Sequence, residues 1–241
     1  LAAIALMTLS NDNFRFVFWI AVIPAFISFA LIAFGVEEPK KQQDQERTAL
    51  TLRDAGRLPA AFWAVVAVAF VLTLARFSEA FLILRSQSVG LPIALVPLVM
   101  VVMNVVYALA AYPAGVIADR IGRQGVLIAG IAFLIVADVI LAMGSTVLPI
   151  LLGVVFWGLH MGFTQGLLAT LVADTAPVDL RGTAFGVFNF AFGIAMLVAS
   201  VIAGGLWDVY GPAATFFAGA AFTAVALAGV VFVANRQRKK A

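Results

Sequence analysis

Arg76, Glu79, Asp138 and His160 stand inside long apolar stretches of the chain, with Asn104, Thr164, Gln165 and Asn189 as neutral polar companions. An ionisable side chain at membrane depth is costly unless it is paired or hydrated, so each is a functional candidate by position. Arg76 and Glu79 are three residues apart, which on one continuous helix makes them neighbours on a face; the expectation is that they pair. With Arg85 as the outer end of their stretch, Arg76 lies roughly 13 Å deep and Glu79 roughly 9 Å at about 1.5 Å per residue. Such a pair can line a cavity, contact a solute and exchange a proton at Glu79. The plainer alternative is a structural ion pair, or an arginine that snorkels to the surface.

His160 and Thr164 share a stretch with Gly158, Gly162 and Gly166, a small-residue seam suited to close helix packing. At 100° per residue Gln165 falls within about 20° of Gly158, which marks it as an interhelical hydrogen bonder, while His160 and Thr164 point away from the seam towards a cavity. A lone histidine in a chain without cysteine lacks the partners of a metal site. Packing is therefore its alternative role, and no metal or other cofactor is expected. Asp138 is read as packing against a neighbour, with proton coupling as a second reading. Asn104 and Asn189 are read as structural hydrogen bonders, and Asn104, near the middle of its stretch, is also a cavity candidate.

These residues need a membrane fold to position them. Of the 241 residues 64% are apolar and 11% charged, against about 45–50% and about 25% in soluble domains. This excludes a soluble enzyme, a disordered tail and a disulfide scaffold. A bilayer core takes roughly 20 apolar residues as a helix, and seven stretches qualify: residues 16–36, 60–84, 93–113, 124–144, 147–171, 183–203 and 212–234. Residues 1–9 are a shorter stub. Twelve of the 15 Lys and Arg fall on one side of these spans, two (Arg15 and Arg85) on the other, and Arg76 within. The positive-inside rule makes the twelve-residue side cytoplasmic, so the basic balance is a topology signal and no nucleic-acid partner is expected. The expected organisation is 1–36, a stub and one span; 37–59, a hydrophilic cytoplasmic linker whose 51–57 stretch suits a short interfacial helix; 60–235, a six-helix bundle; and 236–241, a basic cytoplasmic tail.

A shift of 89 residues lays Gly115, Asp119 and Gly122 on Gly204, Asp208 and Gly211, and Gly130 with its neighbours on Gly219 with its neighbours. The shift spans three helices, an odd number, so the two units run inverted in the membrane, a hallmark of transporters. In the first copy Gly115 permits close helix contact, Asp119 can accept from backbone N–H groups at a neighbouring helix N-terminus, Gly122 permits a tight reversal, and Arg120 and Arg123 hold the turn on the cytoplasmic side.

The run Gly115, Asp119, Arg120, Gly122, Arg123 resembles the cytoplasmic signature of the major facilitator superfamily, in the copy between its helices 8 and 9; residues 176–186 resemble the family's loop between helices 10 and 11. The resemblance covers essentially the whole chain and leans towards drug- and metabolite-efflux members. It implies an all-α membrane fold in which residues 1–9 correspond to the end of helix 5 and the seven spans to helices 6–12, with the N-terminal half of the same protein as a missing partner. It also implies a secondary transporter in a bacterial inner membrane that moves a small solute by alternating access, proton-coupled and inactive as this fragment alone. By the resemblance, the spans carrying Arg76 and Glu79 and carrying His160 line the central cavity, and that of Asp138 is peripheral.

No ATP-binding signature occurs, so the energy is expected from an ion or solute gradient. An enzyme is not expected, since there is one histidine, no cysteine and no G-x-S-x-G or H-E-x-x-H. The remaining alternative is a membrane receptor or assembly subunit without transport activity.

Overall fold

The computed structural model describes residues 2–11, 13–35 and 55–238. Among them the chain is helical with no strand: α1 (Ala2–Leu9), α2 (Phe14–Gly35), α3 (Ala60–Ala75), α4 (Ala80–Ser88), α5 (Val96–Ile121), α6 (Arg123–Met143), α7 (Val147–Thr175), α8 (Arg181–Tyr210) and α9 (Pro212–Arg238), with 3-10 turns at Ile93–Leu95 and Val178–Leu180. Hydrocarbon offers no partner to a free N–H or C=O, so apolar stretches of this length close their hydrogen bonds within helices. All seven expected spans coincide with helices. Six of these stretches are long and apolar enough to cross a bilayer, α3 and α4 together making one of them, and α9 adds a shorter apolar stretch, Pro212–Ala228. Residues 37–54 of the expected linker, with half of its interfacial helix, and residues 239–241 of the basic tail lie outside the described residues.

The bundle is organised around α7, which packs on α5 and α6 and also touches α3, α4 and α8; α9 packs on α6, α8 and α3. The seam explains the α5 contact. A Cβ at Gly158 would sit 2.6 Å from the Met103 carbonyl oxygen, and one at Gly162 would sit 2.7 Å from Ala110 Cβ. Gly166 meets open space, so the tight part of this seam runs from Gly158 to Gly162. Trp157, Val154 and Ile150 are fully buried in the core beneath. By contrast α2 has no buried residue among those described.

The inverted repeat is visible in the backbone. Pro92 and Pro177, 85 residues apart, each precede a 3-10 turn that runs directly into α5 or α8. Gly122 and Gly211, 89 apart, end those helices with φ of 95° and 83°, values that an L side chain rarely adopts. The register shifts by four because α8 has 30 residues and α5 has 26, about one extra turn.

The signature needs three corrections. Its residues up to Ile121 are the last turns of α5 and not a loop, since a helix outlasts the apolar span when its end reaches water. Gly115 makes no close contact, because a Cβ there meets nothing within 4 Å; the packing is carried by buried Ala114 and Ala118 beside it. Asp119 is exposed and accepts no backbone hydrogen bond. Arg123 does bind across the turn, pairing with Asp174 at the end of α7, while Arg120 is exposed.

Overpacking a tight contact costs about 1–3 kcal/mol. Gly158→Val should lower the unfolding free energy in mixed micelles by about that amount, followed by circular dichroism, whereas Gly166→Ala should change it by less than about 1 kcal/mol.

Candidate functional site

The span that carries Arg76 and Glu79 is interrupted between them. Helix α3 ends at Ala75, Arg76 is extended at φ −116° and ψ 101°, and α4 begins at Ala80. The expected i, i+3 pairing therefore fails: the two residues are not on one helix face and form no ion pair within 4 Å. Neither glycine nor proline causes the break. Phe77 turns into the core instead, with ring centroids 5.2 Å from Phe81, 5.3 Å from Phe216 and 5.7 Å from Trp157. Irregular backbone at membrane depth is tolerated where it is buried in protein or lines a cavity, and here both hold. The Ser78 N–H donates to Ser200 Oγ on α8 at 3.3 Å, and Ser78 Oγ accepts from Ala80 N–H at 3.3 Å.

The break opens one side of a cavity of about 380 Å³ between α3, α7 and α8. Leu72, Arg76 and Glu79 line it from the interrupted span; His160, Thr164, Gln165 and Leu168 line it from α7; Phe188, Asn189, Phe192 and Met196 close it from α8. Thus Arg76, Glu79, His160, Thr164 and Gln165 converge as candidates. Asn104 does not: it is exposed on α5 and its amide donates back to the Met100 carbonyl.

Arg76 is only 5% exposed. Its guanidinium carbon lies 5.7 Å from the centroid of the Phe192 ring, a cation–π contact. A charge at the centre of a membrane helix costs about 2.5–3.5 kcal/mol on insertion scales, so a buried guanidinium without an anion must be matched by something at this cavity. Arg85 differs. It donates from Nε to the Leu141 carbonyl at 2.8 Å and from Nη2 to Ala142 at 3.3 Å and Gly144 at 2.6 Å, closing the free carbonyls at the C-terminus of α6, where a cation is favoured.

His160 Nδ1 lies 2.8 Å from the Gly130 carbonyl on α6; a carbonyl only accepts, so Nδ1 carries the proton. Thr164 Oγ1 donates to the His160 carbonyl one turn back. Both residues combine packing with cavity lining, because the Thr164 methyl also fills the space above Gly130. Gln165 corrects the wheel: it makes no interhelical hydrogen bond among the described residues and lines the cavity, next to Gly166, whose Cβ position meets open space. Asn189, expected as a structural bonder, is exposed at the cavity wall.

Asp138 is fully buried on α6, and neither of its carboxylate oxygens has a hydrogen-bond partner. It packs against Gly219 on α9, where an added Cβ would meet Asp138 Oδ2 at 2.9 Å and Phe77 at 3.1 Å. It thus touches the back of the aromatic cluster without reaching the cavity. Residues that sequence reasoning passed over are Phe77, Ser78, Phe188, Phe192 and Ser200. The one available signal was the dense polar run Arg76, Ser78, Glu79 inside an apolar stretch. The phenylalanines of α8 and Ser200 carried none, since they read as ordinary lipid-facing or packing residues.

Comparison with known proteins agrees with this architecture. The family model described as Major Facilitator Superfamily matches residues 1–191 and, in a second overlapping register, 69–241. An uncharacterized MFS-type transporter of Methanocaldococcus jannaschii is 26% identical over 231 residues, 92% of this chain and 56% of that protein. A major facilitator-type transporter of Aspergillus rugulosus is 35% identical over 95 residues, 39% of this chain and 17% of its own. A proton myo-inositol cotransporter of Caenorhabditis elegans is 27% identical over 105 residues, 43% of this chain and 17% of its own. The chain spans about half the length of the first of these relatives and less of the others.

Leaving a buried donor without its acceptor costs about 1–3 kcal/mol. Ser200→Ala should therefore destabilise the bundle by about that amount and speed amide exchange at Ser78, while Ser200→Thr, which keeps the oxygen, should do neither. Equal exchange in wild type and Ser200→Ala would contradict the bond.

Proposed function

The chain belongs to the major facilitator superfamily, and on that premise we propose that it supplies one wall of the solute pathway in a secondary active transporter. The carrying observation is the cavity at the interrupted span, where a buried cation, a carboxylate, a histidine and three neutral hydrogen-bonding side chains meet on an apolar wall. Ligand sites are mostly apolar with a few convergent polar groups, and transporter sites lie near the bilayer midplane at discontinuous helices. The cavity is bounded by α3, α7 and α8 and is partly open. In this reading a second helical bundle, the N-terminal half of the same protein, covers the opening, and the two bundles rock about the solute.

Glu79 is the coupling candidate. It is half-buried at the cavity, its neighbour Arg76 is the nearest cation in sequence, and among the described residues it has no ion-pair partner. The relation to a proton cotransporter supports coupling to protons without fixing the solute. The basic loops and tail are cytoplasmic in this reading, in a bacterial inner membrane.

Two outcomes are expected. The product of the complete reading frame, in proteoliposomes under about one pH unit of gradient, should accumulate its solute about tenfold per coupled proton, since 1.4 kcal/mol is a tenfold ratio. Glu79→Gln should bring accumulation to unity while solute exchange persists; unchanged gradient-driven uptake would remove Glu79 from the mechanism. A reporter that fluoresces only in the cytoplasm, fused after Ala241, should fluoresce, and an externally active phosphatase in its place should be silent.

A further inference from the structure

Three of the described cations meet an acceptor: Arg57 has Asp179, Arg123 has Asp174, and Arg85 has three backbone carbonyls and Ser88. Arg76 is more deeply buried than any of these three and has no such acceptor among the described residues. It makes no side-chain hydrogen bond and no ion pair to a described residue, only the contact with the Phe192 ring, and it lines the cavity. Water and a ring face are poor substitutes for an anion, because a guanidinium offers a planar fork of N–H donors matched to a carboxylate.

We infer that the solute bound at this cavity is a small organic carboxylate, gripped by the Arg76 guanidinium and packed by its apolar body against Phe188 and Phe192. This rests on the transporter reading above and adds the chemical class of the solute. The apolar wall beside Arg76 fits that class. Phe188 and Phe192 are tilted 30° to one another at 6.3 Å, a stacked pair, and Met196 and Leu168 extend the apolar surface. Thr164, Gln165 and Asn189 can hydrogen-bond the second carboxylate oxygen or another polar group of the solute.

Glu79 acquires a definite part. As an ionised carboxylate in the same cavity it competes with the solute for the field of Arg76, and as a neutral acid it does not. Proton uptake at Glu79 and anion uptake at Arg76 therefore favour each other, which couples the two through charge balance in a medium that penalises net charge. The other titratable groups within electrostatic reach of Arg76 are Tyr107 on α5 and His160 on α7; α8 contributes none to the cavity wall.

The test is equilibrium binding to the chain in lipid nanodiscs with three probes of nearly one shape: benzoate, benzamide and benzylammonium. Benzoate should bind at least about tenfold more tightly than benzamide, and benzylammonium weakest. Arg76→Gln should abolish the preference for benzoate, Arg76→Lys should restore part of it, and Glu79→Gln should strengthen benzoate binding severalfold. Charge-blind binding, a preference for benzylammonium, or no binding of any probe by a chain of native helical content would overturn the carboxylate site. If the complete transporter carries only neutral or cationic solutes, the carboxylate inference falls and the transport reading stands. Arg76-dependent benzoate binding by the chain, with no solute transport by the product of the complete reading frame, would leave the anion site standing and remove the transport reading.

Discussion

A peptide group in hydrocarbon must find its hydrogen bond inside the protein, and this one constraint shapes the molecule. It makes each apolar stretch a helix, and it makes any interruption of a helix an expensive feature that its surroundings must support. The interruption at Arg76–Glu79 meets that condition from both sides. Ser78 and Ser200 take up the freed backbone, and Phe77 exchanges a place on the helix surface for the aromatic core with Phe81, Trp157 and Phe216. A break held this way points Arg76 and Glu79 into a common space. A continuous helix would have stacked them against one another.

Internal duplication supplies the frame for that space and treats its two copies differently. Gly130 and Gly219, equivalent under the 89-residue shift, each let a neighbouring helix approach closely. At Gly130 the approaching residues are Thr164 and, through its ring nitrogen, His160, both of which continue into the cavity. At Gly219 the approaching residue is Asp138, which is sealed. Small residues at helix contacts bring backbones together, and the chemistry that follows depends on what the partner helix presents there.

Much of the fold was legible because hydropathy and charge placement are dictated by the bilayer. The helical spans, the short first helix, the repeat and the reversal glycines Gly122 and Gly211 follow from run length and one self-comparison. The site was half legible. Depth alone singled out Arg76, Glu79 and His160, since an ionisable group in an apolar run is visible at once. Their geometry was not, because the break contains no glycine or proline and is held by a serine 122 residues away in sequence. Gln165 was misassigned for a related reason: a helical wheel assumes that a close seam continues along the whole face, whereas the tight contacts end at Gly162 and Gly166 meets open space. Asp119 was assigned a backbone partner on local logic, but that partner would have to come from tertiary packing that places none there.

The chain has no cysteine, so a single introduced thiol reports on one position. An interrupted span that lines a water-accessible cavity within the membrane sets the rate at which a water-soluble thiol reagent modifies Glu79→Cys, Gln165→Cys and Asn189→Cys in lipid, compared with Val154→Cys in the sealed core. Fast modification at the first three and protection at Val154 is the expected result. Protection of Glu79→Cys equal to that of Val154→Cys would contradict the account.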